Sequence, residues 1–300
     1  MHYSPELARR IAQRHGLEGE VTLLPASGMV NEAWALGENH ILRLTHQEEC
    51  DGEADREAMV VPFVGSRGLR TPALVAVNST CDLAPRPYTI YERAPGILLG
   101  ASDREHPWFE AAYREIGRQC ALLHTLEVAD ELRAHLRPPE PTEPRKSLAK
   151  AVDAGLVSPG EQARTEAMLD DLEALVAGRR DLALIHWDIH PWNLLVDDET
   201  GGLTAIIDWG DAGIGDPAYD LASMPIQALP GMIAGYEETL RIGPDFVAVC
   251  LLAGFALAFW EIRDLTEENG KRSWWRMPPE GPDRLVEDAA AVLDGVCSRR

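Results

Sequence analysis

The sequence predicts an α+β chain folded in two lobes. A small lobe of five antiparallel strands spans residues 1–93, a hinge lies at about 92–96, and a larger, mostly helical lobe spans 94–300. Three observations predict this. Short strand-like runs separated by turn residues crowd the first 93 residues. Ala94-Pro95-Gly96 then interrupts the chain. Most of the chain beyond it has apolar residues at helical spacing.

Ser4-Pro5-Glu6 reads as an N-cap with proline in the first helical turn, and Gly16 ends that helix. Val21–Leu24, Glu32–Leu36 and His40–Leu44 are strand candidates, separated by Ser27-Gly28 and by Gly37-Glu38-Asn39. Glu53–Val64 carries Ala54, Ala58 and Val61 at helical spacing. Ala73–Val77 and Tyr88–Tyr91 complete the five strands. Beyond the hinge, Trp108–Leu126 places Ile116, Cys120, Leu123 and Leu126 on one stripe. The segment 137–144 contains four prolines and reads as a loop or stiff connector. Gly160–Ala177 reads as an amphipathic helix, and Phe246–Ile262 is apolar enough for a buried one.

Bulk properties narrow the class. Hydrophobic residues make up 45% and charged residues 26% of 300, an ordinary globular balance. No run of 18 apolar residues occurs and the N-terminus lacks an apolar signal core, so no membrane partner is expected. Five scattered cysteines without CxxC spacing suit reduced thiols in a cytoplasm. The net charge of −21 disfavours nucleic acid. It would attract cations, either Mg²⁺ or a polyamine-like substrate; the alternative is that it only aids solubility. From Asp181 to Asp220 there are nine acidic residues and no Lys or Arg, which points that cluster toward a metal. Only three lysines occur, and none precedes Lys146.

The chemistry is concentrated in two motifs. His186-x-Asp188-x-x-x-x-Asn193 has the spacing of a kinase catalytic loop, and Asp208 stands where a Mg²⁺-binding aspartate would come next. Phosphoryl transfer needs a carboxylate near the acceptor hydroxyl, Mg²⁺ against the phosphates, and cations or amides on the remaining oxygens. Asp188, after the apolar run Leu182–Ile185, suits the first task. Asn193 offers a neutral oxygen and Asp208 an anionic one, the hard ligands that Mg²⁺ selects. His186 reads as structural, holding the loop by hydrogen bonds.

The runs His186-Trp-Asp188-Ile-His190-Pro191-Trp-Asn193-Leu-Leu-Val, Ile206-Ile207-Asp208-Trp209 and Gly215-Asp216-Pro217-Ala-Tyr-Asp220 resemble the aminoglycoside phosphotransferase family. These are small-molecule kinases with a protein-kinase-like fold. The resemblance is strong over about 183–222 and extends along nearly the whole chain in the order of elements. It implies that Asp188 is the catalytic base and that Asn193 and Asp208 hold Mg²⁺. Asp216 and Asp220 are expected to cap and anchor the next helix. Leu24-Pro-Ala-Ser27-Gly28-Met-Val-Asn31 resembles the loop that covers the nucleotide, so Ser27, Gly28 and Asn31 are expected there; an ordinary hairpin turn is the alternative. Arg43 stands on the strand that carries the phosphate-binding cation, with Glu57 as its partner and Glu53 as the competitor; the alternative is an exposed arginine. Arginine is permanently charged and forked, so it acts differently from lysine. Pro87–Gly96 resembles the interlobe hinge, with backbone groups of Glu92 and Ala94 on the purine and Tyr91 at its back edge.

Two departures stand out. The family usually has glycine at positions 187 and 192, and this chain has tryptophan at both. With Trp209 they either pack the loop from behind or wall the acceptor pocket, where Ser273-Trp274-Trp275-Arg276-Met277 could join them. Glu261, Asp264, Glu267 and Glu268 could bind ammonium groups or simply face solvent. The expectation is an ATP- or GTP-dependent, Mg²⁺-requiring kinase acting on a hydroxylated small molecule, monomeric or homodimeric. An aminoglycoside-type, cationic antibiotic leads as acceptor. A macrolide or a small metabolite is the alternative acceptor, and a non-catalytic nucleotide-binding module is the rival of another class.

Overall fold

The computed structural model describes residues 3–25, 31–45, 47–48, 51–102, 108–262, 277–278 and 280–298. It opens with α1 (Pro5–Arg14). Ser4 Oγ accepts from the Leu7 amide and Pro5 occupies the first turn, as the capping signal predicts. Gly16, at φ +67°, lets the chain reverse after the helix. The strands β1 (Val21–Leu23), β2 (Asn31–Leu36) and β3 (His40–Thr45) come next, then α2 (Asp51–Gly65), β4 (Leu74–Asn78) and β5 (Tyr88–Glu92). All five strands form one antiparallel sheet in the order β1-β2-β3-β5-β4.

Strand alternation decides what this sheet does. Leu42 and Leu44 of β3 turn to one face, where they meet Trp34, Leu36, Tyr88 and Ile90 and the Ala8–Ile11 stripe of α1. Arg43, between them, is thereby directed to the opposite face, toward α2. That helix buries Val60, Val61 and Val64 in the core of the larger lobe and not in the α1–sheet core. It therefore ties the sheet to the rest of the molecule.

The larger lobe begins with β6 (Ile97–Leu98) and α3 (Phe109–His124). Next come α4 (Asp130–Arg133), α5 (Pro144–Asp153) and α6 (Pro159–Leu175). The stretch 137–143 is irregular as expected. Pro144, expected within the loop, instead occupies the first turn of α5, where its fixed φ suits a helix and no N–H is needed. Ser158 and Glu161 close a reciprocal capping box on α6. The strands β7 (Ala183–Ile185), β8 (Leu194–Val196), β9 (Leu203–Ile206) and β10 (Gly213–Gly215) carry the motif region. β7 pairs with β10, and β6-β8-β9 form a three-stranded sheet. The last described helices are α7 (Tyr219–Ala222), α8 (Leu229–Tyr236), α9 (Pro244–Glu261) and α10 (Pro282–Cys297).

α9 is apolar around its whole circumference, so it is buried, with Phe246, Leu251, Phe255 and Phe259 inside the core. None of the described helices is long and apolar enough to cross a membrane. The α3–α8 contact is closer than side chains allow. A Cβ on Gly117 would lie 2.0 Å from the Met232 carbonyl oxygen, and one on Gly235 would lie 1.9 Å from that of Arg114. Backbone cannot yield as a side chain can, so Gly117→Ala must push the helices apart. It is expected to lower the unfolding free energy by about 1–3 kcal/mol, the usual cost of overpacking, in urea titrations.

Candidate active site

β7 delivers the chain to His186, whose side chain is buried. The Asp188 amide donates to His186 Nδ1 at 3.3 Å, so in the neutral ring the proton sits on Nε2, which donates to the Ile207 carbonyl at 3.0 Å. His186 thus fastens the loop to the strand leading to Asp208. Asp220 fastens the same loop from below. Its carboxylate accepts from the amides of His186 (2.9 Å) and Trp187 (2.7 Å) and meets His124 Nε2 at 3.0 Å. His124 Nδ1 in turn lies 2.9 Å from the Tyr236 hydroxyl. Asp220 therefore departs from its expected helix-anchoring role. The residue lies inside α7, but its carboxylate points at the loop before Asp188. Asp216 does not cap α7 either: its carboxylate accepts from the amide of Ala218, the residue before the helix, at 3.0 Å, and it holds Arg179.

Two bends shape the loop. Trp187 has φ +73° and Asp208 φ +68°. Aspartate tolerates the left-handed region, whereas an aromatic residue there is strained by roughly 1–3 kcal/mol. The bond from the Trp187 amide to Asp220 helps hold that bend. The next residue, Asp188, is about one-third exposed. Asn193 Nδ2 donates to both the Asp188 backbone oxygen (3.0 Å) and its Oδ2 (2.9 Å), so the five-residue spacing returns the amide to the carboxylate. His190 Nε2 lies 3.2 Å from the same Oδ2, while its Nδ1 accepts from the Trp192 amide. His190 meets Asp188 although the motif spacing does not single it out; in the sequence it stands only as one residue of the run that carries the family resemblance.

Across the cleft, Arg43 bridges the lobes. Nη1 donates to Glu57 at 2.5 Å and Nη2 to Asp208 Oδ1 at 2.6 Å. The guanidinium is only 15% exposed. Burial alone would depress its pKa, but Asp208 and Glu57 outweigh burial and hold it well above its ordinary value. Burial pushes the Glu57 carboxyl up, against the pull of Arg43. Burial and the neighbouring Glu57 also raise the Tyr91 phenol well above its usual range. Of the two candidate glutamates, Glu57 pairs with Arg43; Glu53 lies instead against Gly210.

The remaining expected residues fall in three places. Asn31 begins β2 opposite Thr45. The Glu92 amide donates to the Ala73 carbonyl at 2.9 Å. Ala94 lies just beyond β5, with no backbone acceptor for its amide among the described residues. Ser27, Gly28, Asp264, Glu267, Glu268 and 273–276 lie outside the described residues, as does the Glu261 side chain.

The three indoles near the loop separate. Trp209 is buried behind it, donating to Thr71 Oγ1 (3.0 Å) and the Ile206 carbonyl (3.1 Å). Trp192 lies where a Cβ on Gly100 would be 2.7 Å from its ring, and Trp187 stands in the same relation to Gly213. The Arg137 guanidinium sits 5.4 Å from the Trp187 ring centroid. No cluster of three or more His, Cys, Asp or Glu suited to a metal occurs among the described residues. One carboxylate, Asp208, with the Asn193 amide fits Mg²⁺, which takes few protein ligands and completes its shell with water and phosphate oxygens.

The small antiparallel sheet and the helical lobe define a two-lobed, protein-kinase-like α+β molecule. The description "phosphotransferase enzyme family" belongs to the family model that matches residues 22–250. The chain belongs to this family. It is 30% identical over 165 residues to viomycin phosphotransferase of Streptomyces vinaceus, covering 52% of this chain and 56% of that protein. It is 26% identical over 180 residues to aminoglycoside 3'-phosphotransferase of Streptomyces fradiae, covering 58% of this chain and 63% of that one. The chain thus spans less than two thirds of the length of either curated relative. The solved GDP complex of aminoglycoside 2'-phosphotransferase-IIIa shares the fold at TM-score 0.65 and 19% identity, over 95% of this chain and 98% of the other.

Asp220→Ala would strand three donors that now share one buried carboxylate. Hydrogen bonds to a charged acceptor contribute about 1.5–3 kcal/mol each, so a loss of at least about 3 kcal/mol is expected in denaturant unfolding. A change under about 1 kcal/mol, less than one such bond, would show that the loop is held by other contacts.

Proposed function

We propose that this chain transfers the γ-phosphoryl group of ATP or GTP to a hydroxyl of a small molecule. The observation that carries the reading is the convergence of Asp188, Asn193 and Asp208 opposite an arginine bridging both lobes. In this reading Asp188 accepts the proton of the acceptor hydroxyl. The hydroxyl oxygen forms a bond to the γ-phosphorus, the bond to the β,γ-bridging oxygen breaks, and the nucleoside diphosphate leaves. Asn193 and His190 orient Asp188 from two sides. Asn193 turns its nitrogen to Asp188 and so leaves its amide oxygen for a metal. Asp208 and Asn193 would hold Mg²⁺, which when bound supplies charge neutralisation on the phosphates. Arg43, released from Asp208, would face the phosphates. The Ala94 amide and Glu92 carbonyl would meet the purine, with Tyr91 behind it.

An antibiotic is the leading acceptor, because the curated relatives are named for viomycin and aminoglycosides. The net charge of −21 suits a cationic one. The decisive experiment is a phosphate-transfer screen over aminoglycosides, viomycin, macrolides and hydroxylated metabolites, run with ATP and with GTP. With the acceptor found, Asp188→Asn is expected to lower kcat by about 10²–10⁴ while nucleotide affinity stays within a few-fold; surviving turnover would remove Asp188 as the base. Asp208→Ala is expected to abolish the Mg²⁺ dependence of nucleotide binding, read by calorimetry with and without the metal.

A further inference from the structure

One guanidinium serves two carboxylates in the cleft. Nη1 is taken by Glu57 and Nη2 by Asp208, each at 2.6 Å or less, with Arg43 largely shielded from solvent. In the phosphotransferase role, Asp208 gives oxygen to a divalent cation and Arg43 faces phosphate. While they are paired, Asp208 Oδ1 is turned to Arg43 and not to a cation, and Arg43 Nη2 is turned to Asp208 and not to a phosphate oxygen. A lone cation would find few protein ligands here, since no cluster of three or more acidic, histidine or cysteine side chains suits a metal among the described residues. Its anionic ligand Asp208 is already neutralised, and an arriving dication would face the arginine across the same carboxylate. The fork is essential to this arrangement. Two nitrogens of a planar guanidinium reach two carboxylates in fixed directions, which a lysine ammonium on one point does less well.

We propose that the Arg43–Asp208 ion pair is a latch against metal binding in the nucleotide-free protein, so that divalent cation and nucleotide enter as a coupled pair. The inference rests on the phosphotransferase reading of this cleft. Polyphosphate offers Arg43 a replacement anion, and its departure exposes Asp208 to the cation. Each ligand thus removes an obstacle to the other, and the coupling is reciprocal.

The test is a Mn²⁺ titration of the full chain by electron paramagnetic resonance, with and without ADP. Without ADP, wild-type protein is expected to bind Mn²⁺ weakly, and Arg43→Gln about tenfold more tightly, within the usual range of coupling between sites. The double variant Arg43→Gln/Asp208→Asn is expected to lose that gain. Arg43→Lys, which keeps the charge without the fork, is expected to gain less than Arg43→Gln, and it carries the test if the glutamine variant does not fold. Equal or weaker Mn²⁺ binding by the folded Arg43 variants would overturn the latch, because breaking a merely structural ion pair lowers thermal stability without raising metal affinity. The ADP arm isolates the underlying reading. If Mn²⁺ fails to strengthen ADP binding in the wild type, the assignment of the cleft itself falls. If it does strengthen binding and the variants show no gain, only the latch falls.

Discussion

The buried carboxylate of Asp220 is the interaction on which the loop carrying Asp188 depends. It is fully shielded from solvent, and its oxygens meet two backbone amides and one imidazole nitrogen. A buried charge persists only when its lone pairs are so engaged. The same bonds spread outward: His124 ends α3 and Tyr236 ends α8, so one anion joins two helices to the chain just before Asp188. The two amides it holds flank the bend at Trp187, where the backbone enters a region that indole-bearing residues rarely occupy. Without that anchor the strain at Trp187 would be relieved by rotation, and Asp188 would turn with it.

The second constraint is strand alternation in the small lobe. Leu42 and Leu44 must enter the α1–sheet core, so Arg43 must face the other way. α2 then presents Glu57 to it from a helix whose valines belong to the larger core. Arg43 therefore reports the relative position of three bodies: the sheet, α2 and the Asp208 segment. A change in lobe closure has to stretch one of its two bonds.

Local chemistry was legible in the sequence and distant chemistry was not. The His186-x-Asp188-x-x-x-x-Asn193 spacing is short enough that the loop geometry can be read from it. The five strands and the capped first helix are also local signals. Arg43 and Glu57 were reached through the family resemblance, and strand alternation is the physical reason that Arg43 faces α2 and meets Glu57. The hold of Asp220 on His186 was not, because it spans 34 residues, and an aspartate near a helix start reads locally as a cap. Pro144 was misplaced for a related reason: proline suits a loop and a first helical turn equally.

The tryptophans show how much of the site lies in such distant pairs. The family resemblance leads one to expect glycine at 187 and 192, and indoles in a tight loop need room that glycines do not. The space is found on the facing elements. Gly213 lies under Trp187 and Gly100 under Trp192, each so close that a single Cβ would overlap the ring. Gly213 belongs to β10, the partner of the strand that delivers the loop, and Gly100 lies just after β6. The two indoles thus occupy space that side chains at 100 and 213 would fill. Trp187 nevertheless occupies the left-handed conformation that glycine adopts without strain. Packing against Gly213, Arg137 and Tyr219 and the amide bond to Asp220 are what hold it there.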